Sequence, residues 1–198
     1  MKKIIALAVL AFGTIHLNAQ SFEASLGTFR LLSAAPKVEL MYHIDDYSSA
    51  NLELRRINLP VSYSLASDPI SQVNTEARFT GFVFSPEYIR YADPGRFDNS
   101  GFYYGLFLRA KSMQTNGLQI TELGHTTDND FSQKAFGIGL NVGRHRVFDN
   151  GLTFRVYAGL GYNLVNNIEL IDGNSSYISD TFSTGLISRT GMMLGYRF

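Results

Sequence analysis

The 198-residue sequence contains no cysteine. This absence excludes disulfide bonds, thiolate zinc sites, thiol nucleophiles and a lipid anchor attached through cysteine. Charge is also scarce, because 17% of the residues are charged whereas an average globular protein has about 25%. Lys and Arg together number 17, as do Asp and Glu, so no basic excess favours nucleic acid as a partner.

Long apolar runs are missing as well, except at the start of the chain. Two lysines precede an apolar run over residues 4–12, and a looser stretch ends at Ala19. This order is typical of a secretory signal peptide, and the run is too short for a membrane helix, which needs about 20 apolar residues. We therefore predict a signal peptide over residues 1–19 and a single exported domain over residues 20–198.

Strict alternation of apolar and polar residues recurs through the rest of the chain. In residues 152–164 the even positions are apolar and the odd positions are polar or glycine, the pattern of a strand with two unlike faces. We predict eight such strands, and no segment shows a helical period. They cover residues 22–31, 37–44, 51–63, 78–91, 102–111, 134–144, 152–164 and 184–198.

Two irregularities are expected within these strands. The apolar positions change phase between Leu54 and Ile57, which predicts a β-bulge near Arg55 and Arg56. Pro86 lacks an N–H group, so it cannot complete a ladder hydrogen bond and predicts a second local disturbance.

The connections alternate between short and long from the second strand onward. The short, turn-rich ones are 45–51, 92–101 and 148–151, and the longer polar ones are 62–76, 114–131 and 166–183. The first connection, over residues 33–37, is short although it falls in the long series. A barrel with both termini at one end gives this alternation, with turns at that end and loops at the other.

The two faces differ in bulk. The apolar face carries more large side chains than the narrow lumen of an eight-stranded barrel accepts. The other face is rich in glycine, which leaves room in a lumen for Tyr103, Arg109, Arg155 and Tyr157. The apolar face is therefore expected outside, where only a bilayer accepts such a continuous belt. The glycines concerned are Gly105, Gly137, Gly139, Gly143, Gly159, Gly161, Gly185, Gly191 and Gly195.

These features together predict an all-β fold, a closed antiparallel eight-stranded up-and-down transmembrane β-barrel. The alternative is a soluble lipocalin-like ligand-binding barrel, which points its apolar face inward. Aromatic residues near the strand ends suit the interfacial girdles of a membrane barrel. They are Phe102, Tyr104, Phe148, Tyr196 and Phe198.

The chain ends in Met192-Met193-Leu194-Gly195-Tyr196-Arg197-Phe198. With the signal peptide and the eight strands, this ending resembles the small porin-like outer-membrane β-barrels of Gram-negative bacteria, the OmpA/OmpX type. The resemblance implies a monomer in the outer membrane, in contact with its lipids and lipopolysaccharide. It also implies that the barrel-assembly machinery recognises the last strand through Phe198 and the apolar residues at alternate positions before it. No nucleic acid is expected as a partner.

Seven charged residues are predicted to point into the lumen. We expect them to pair as a polar plug, because unpaired buried charges are costly and the bore of eight strands is normally full. A narrow channel is the alternative. The position of Glu87 depends on Pro86 leaving the phase unchanged. The seven are Glu39, Glu53, Glu87, Arg109, Arg155, Arg189 and Arg197.

Three histidines lie beyond the signal peptide. His43 and His145 are expected in the lumen or at its rim, whereas His125 lies in the segment LGHTTDND beside Thr126 and Asp128. Some barrels of the type this chain resembles are lipid-modifying enzymes that use a rim histidine. One loop histidine beside threonines does not make a triad, however.

The segment 172–180 has oxygen ligands but lacks the calcium-loop register. We therefore predict no enzyme activity, no cofactor, and no catalytic, cofactor-binding or metal-binding residue. A structural or surface-interaction role, with extracellular loops on display, is the predicted function.

Overall fold

The computed structural model describes residues 21–27, 36–68, 71–92, 99–117, 119–122, 125–128, 130–171 and 185–198. For residues 61–68, 71–76, 119–122, 125–128 and 170 it describes the backbone alone. The predicted signal peptide, residues 1–19, lies outside the described residues. Among those that are described, no helix has the length and hydropathy needed to cross a bilayer.

Eight of the ten strands in the described part of the chain close into a ring, in the order β1-β10-β9-β8-β5-β4-β3-β2. Every neighbouring pair is antiparallel, so the predicted eight-stranded up-and-down fold is confirmed. The strands β6 and β7 form a separate two-stranded sheet. The bounds are β1 (Phe22–Gly27), β2 (Lys37–Asp45), β3 (Ser48–Asp68), β4 (Ser71–Tyr91), β5 (Gly101–Asn116), β6 (Gln119–Glu122), β7 (His125–Asp128), β8 (Phe131–Val147), β9 (Leu152–Leu170) and β10 (Leu186–Arg197).

One end of the barrel, called here the turn end, carries the start of β1, the end of β10 and three short connections. The connection between β8 and β9 is short because the chain reverses in a tight turn. The Gly151 N–H donates to the Phe148 carbonyl over 2.9 Å, and Gly151 has a φ of +83°, which favours glycine. The opposite end, where the longer connections lie, is called the loop end.

The three predicted long loops are each wrong in part, and within 166–183 the strand β9 continues to Leu170. The strands β3 and β4 continue through most of 62–76 and pair as far as Asp68 and Ser71, so residues 69–70 alone remain between them. The segment 114–131 contains the β6–β7 hairpin. A polar composition indicates contact with water, but it does not exclude a β-strand. The backbone groups of a polar hairpin pair with each other in the same way as those of an apolar one.

The predicted bulge at Arg55 and Arg56 is wrong. These residues pair with Val83 and Phe82 in an unbroken register on β4. The apolar positions change phase in the sequence because Ile57 is buried and faces the lumen, at a position where the alternation predicts a polar residue. Register shifts occur instead near Asp45, near Asp68 and between Phe136 and Gly137.

The disturbance expected at Pro86 is confirmed. Pairing between β4 and β5 stops after Phe84 and resumes at Glu87 in the same register. Within the gap, the Ser85 hydroxyl donates to the Leu108 carbonyl over 2.6 Å. The phase of the strand is kept, so Glu87 faces the lumen.

The apolar face lies outside, as predicted. Leu140 and Leu160 are 67% and 64% exposed, and Phe136 and Leu194 are exposed as well. A lipocalin-like barrel would have packed these side chains at the centre. The five aromatic residues predicted for a girdle are all exposed: Phe102, Tyr104, Phe148, Tyr196 and Phe198.

Candidate functional site

Glycines make room for two of the large tyrosine side chains in the lumen. A Cβ atom on Gly143 would lie 2.6 Å from Cζ of Tyr103, and one on Gly191 would lie 2.5 Å from Cζ of Tyr157. Both distances are well below a van der Waals contact. The predicted role of these glycines, to make room for buried tyrosines, is therefore confirmed for both pairs.

Six charged side chains from five strands meet in the middle of the lumen and are called here the ion-pair cluster. Three are carboxylates and three are cations, and all six are buried. Buried charges are tolerated when they are paired and hydrogen-bonded, and the balance of signs meets this condition. The members are Lys37, Glu39, Glu53, Glu87, Arg155 and Arg189.

Arg189 links two carboxylates from different strands. Its Nε and Nη2 atoms lie 3.0 and 2.9 Å from Oε2 of Glu53, and its Nη1 lies 2.8 Å from Oε2 of Glu87. Lys37 Nζ lies 2.7 Å from Oε1 of Glu39 and 3.0 Å from Oε2 of Glu53. Arg155 completes the cluster by pairing with Glu39. The carboxylates thus share cations and join the walls of the barrel.

Neutral donors complete the coordination of these carboxylates. The Asn51 amide donates to Glu39 and Glu87 over 3.4 and 3.2 Å, and Asn141 also donates to Glu87. The Tyr157 hydroxyl donates to Oε1 of Glu39 over 3.4 Å. The two asparagines were missed as site residues, although both stand at inward positions of their strands.

Five of the seven predicted inward charges join the ion-pair cluster, and two do not. Arg109 lies nearer the loop end, half-buried, and Arg197 lies at the turn end, where its Nε donates to Ser21 over 2.6 Å. Lys37 was missed, although the alternation of β2 places it on the same face as Glu39. The predicted pairing of Glu39, Glu53, Glu87, Arg155 and Arg189 is confirmed.

A second buried group, the histidine cluster, lies below the ion-pair cluster at the turn end. Oε2 of Glu23 lies 3.0 Å from Nε2 of His145 and 3.8 Å from Nε2 of His43. Nδ1 of His145 faces the Asn99 carbonyl at 2.7 Å and the Tyr91 hydroxyl at 3.0 Å. Both histidines therefore lie in the lumen, as expected, and Glu23 was missed because its strand alternates weakly.

Ser49, His43 and Glu23 contain the residue types of a hydrolytic triad but not its layout. The Ser49 hydroxyl lies 2.8 Å from Nδ1 of His43, and Ser49 is 0% exposed. A nucleophile must reach its substrate and be oriented by its base. Ser49 is buried and does not meet that requirement. We therefore assign Ser49, His43 and Glu23 a structural role.

The hypothesis that His125 is catalytic depends on its side chain, which lies outside the described part of the structure. Its backbone belongs to β7 and pairs with Glu122, whereas its side chain is among those not described. No group of three or more His, Asp or Glu side chains placed to hold a metal ion occurs in the described part of the chain.

Residues 8–197 match the model of the family described as "Protein of unknown function (DUF3575)". The chain belongs to this family. No curated protein matches the DUF3575 chain in sequence.

Among solved structures, the chain is similar to a major outer membrane protein from Thermus thermophilus. The TM-score is 0.50 and the identity 12%, over 91% of this chain and 100% of that chain. Acinetobacter baumannii CarO gives a TM-score of 0.47 and 10% identity over 90% and 97% of the two chains. Neisserial surface protein A gives 0.39 and 13% over 90% and 93%. At these identities the likeness concerns the fold.

Chemically, ordered charged and aromatic side chains occupy the middle of the lumen of this DUF3575 protein. Arg155 is completely buried, and the Arg189 guanidinium lies 5.0 Å from the centre of the Phe107 ring and 4.9 Å from that of Tyr157. Cations against ring faces add to the ion pairs and fill the bore with ordered side chains. The arrangement favours a rigid cross-link between strands over a path for ions.

Proposed function

We propose that this protein is an integral outer-membrane β-barrel with a sealed lumen and a structural or surface-interaction role. Residues 1–19 would direct its export, and its loop end would face outward. The observation that carries the proposal is the inversion of its two surfaces: a belt of apolar side chains lies outside a closed ring, and a cluster of paired charges lies inside it. Water stabilises the opposite arrangement, and a bilayer stabilises this one.

The height of the apolar belt agrees with a bilayer. On β8 the outward side chains between Lys134 and Arg144 are Phe136, Ile138, Leu140 and Val142. Ten residues at about 3.3 Å each extend for about 33 Å along a strand. At a tilt of about 40° this gives about 25 Å along the barrel axis, the height of the apolar band in outer-membrane barrels.

The lower edge of the belt carries cations stacked on aromatic rings. Cζ of Arg144 lies 5.2 Å from the centre of the Phe102 ring, and Cζ of Arg146 lies 5.1 Å from that of Phe148. Both pairs are exposed at the turn end. Aromatic rings and long cationic side chains prefer the boundary between hydrocarbon and headgroups, so these pairs favour a membrane interface there.

The sealed lumen favours a scaffold over a channel or an enzyme. A conducting path would have to pass Arg109 and Arg155, and Arg155 is buried within the ion-pair cluster. An acyl-transfer site would need an accessible nucleophile, and Ser49 is buried. We propose that the protein acts as a monomer and contacts outer-membrane lipids and lipopolysaccharide.

Membrane fractionation with an unboiled gel tests this proposal. We expect the protein in the outer-membrane fraction, with a faster mobility before boiling than after it, because a folded barrel resists unfolding by detergent. Recovery as a soluble periplasmic protein would contradict the proposal. The sealed lumen is tested separately in planar bilayers, where stepwise ion conductance by the wild-type protein would rule out a scaffold without a pore.

A further inference from the structure

A cavity of about 330 Å³ opens in the lumen between the ion-pair cluster and the loop end, and we call it the vestibule. A smaller cavity of about 90 Å³ adjoins it and reaches Arg189, and the two share Arg109 and Ser188 in their linings. The smaller cavity borders the ion-pair cluster, since Lys37, Glu53 and Arg189 line it, whereas the described lining of the vestibule contains no member of the cluster. The residues that matter for the vestibule are Phe79, Arg109, Lys111, Phe131, Gln133 and Ile187.

The described linings of the two cavities contain five cationic side chains, those of Lys37, Arg55, Arg109, Lys111 and Arg189. Arg55 and Lys111 face each other across Val83 on three adjacent strands, and Arg109 precedes Lys111 on the same face of β5. Arg55 and Arg109 both repel the Lys111 ammonium electrostatically. Among the described residues that line the two cavities, Glu53 is the only acid, and Lys37 and Arg189 bind it.

Hydrogen bonds hold the Lys111 ammonium at the wall. Its Nζ atom donates to Oε1 of Gln133 over 2.8 Å, and Nε2 of Gln133 donates to Oδ1 of Asn166 over 2.7 Å. This chain ties three neighbouring strands together. The bond to Gln133 uses one of the three N–H donors of the Lys111 ammonium, so the others are available to an acceptor in the cavity.

Apolar side chains complete the lining. The rings of Phe79 and Phe131 contact each other edge to face with centres 6.3 Å apart, and Ile187 is buried. Ligand sites of this size combine an apolar lining with a few placed polar groups. We propose that the vestibule binds a small amphipathic organic anion, with its charged group at Lys111 and Arg109 and its apolar body against these rings.

The proposal goes beyond the scaffold role and is tested by calorimetric titration of the folded full chain in lipid nanodiscs. The probes are hexanoate and hexylammonium, which share an apolar body and differ in charge, with empty nanodiscs as the blank. We expect saturable binding of hexanoate, at least about tenfold tighter than that of hexylammonium. Equal affinities, or no saturable binding of hexanoate, would overturn the proposal.

Variants locate the binding. Lys111→Gln and Arg109→Gln should each weaken hexanoate about tenfold, the loss of one charge-assisted hydrogen bond, whereas Lys111→Arg should retain it. Arg56→Gln is the matched control, since Arg56 follows Arg55 on β3 but faces outward. An equal loss in Arg56→Gln would overturn the assignment. Where a variant does not fold, the comparison of the two probes on the wild type still decides, and membrane fractionation tests the scaffold role independently.

Discussion

Nη1 of Arg189 lies 2.8 Å from Oε2 of Glu87, and this contact joins β10 to β4 across the lumen. The two strands are not neighbours in the ring. The backbone ladder fixes only adjacent strands, so a contact across the bore restrains the shape of the cylinder in a direction that the ladder leaves soft.

The first prediction concerns this cross-link. Arg189→Met should lower the free energy of unfolding by about 3–5 kcal/mol, because it leaves Glu53 and Glu87 buried without their main cation. Urea unfolding of the protein in lipid vesicles measures the change. Arg146→Met, which removes an exposed cation, is the control and should change stability by less than about 1 kcal/mol. Equal losses in both variants would contradict a special role for the ion-pair cluster.

The second prediction concerns the close approach of Gly191 and Tyr157. Gly191→Val should destabilise the barrel by about 1–3 kcal/mol, because the added side chain meets the Tyr157 ring. Tyr157→Ala in the same chain should remove part of that cost, and a double-mutant cycle measures the coupling. The control is Thr190→Val, an exposed position next to it. Strict additivity of the two changes would show that the ring is not the obstacle.

The third prediction concerns the apolar belt. Leu140→Arg places a charge at the middle of the belt and should cost about 2–4 kcal/mol of folding free energy in a bilayer. Lys134→Arg, at the loop-end edge of the same strand and face, is the control and should cost little. Folding into vesicles, followed by the heat-dependent gel shift, gives the measurement. A tolerated Leu140→Arg would place the belt in water.

The fourth prediction concerns Phe198, which is exposed and whose backbone N–H donates to the Phe22 carbonyl over 2.8 Å. Deletion of Phe198 should reduce the amount of folded barrel in cells, because the proposed assembly signal is lost. Refolding of the purified variant into detergent should be nearly unchanged, since one residue of the ladder is removed. A matching defect in both measurements would indicate a loss of stability and no assembly signal.

Several features were correctly inferred from alternation alone. The even positions of residues 152–164 lie outside, Arg155 and Tyr157 lie inside, and the disturbance at Pro86 occurs without a change of phase. Side chains on a strand point alternately to the two faces, so a pattern of period two carries this information locally. The missing proline N–H is equally local.

Other features were misread because the same local rule has limits. Ile57 is apolar but faces the lumen, and this changes the phase of the apolar positions in the same way as a β-bulge would. The polar composition of 62–76 predicts a loop, whereas β3 and β4 continue through most of this segment. Polarity reports the solvent around a side chain, and a strand keeps its backbone hydrogen bonds whether that solvent is lipid or water.

By itself, the sequence determined the number of barrel strands, the side chains that share each face and the outward position of the apolar face, because each follows from residue type and from a period of two. Only the tertiary structure decided which charges meet. Arg189 contacts Glu53 and Glu87, whereas Arg109 lines the vestibule. These contacts depend on the register between strands and on the closure of the ring, which bring together residues far apart in the chain.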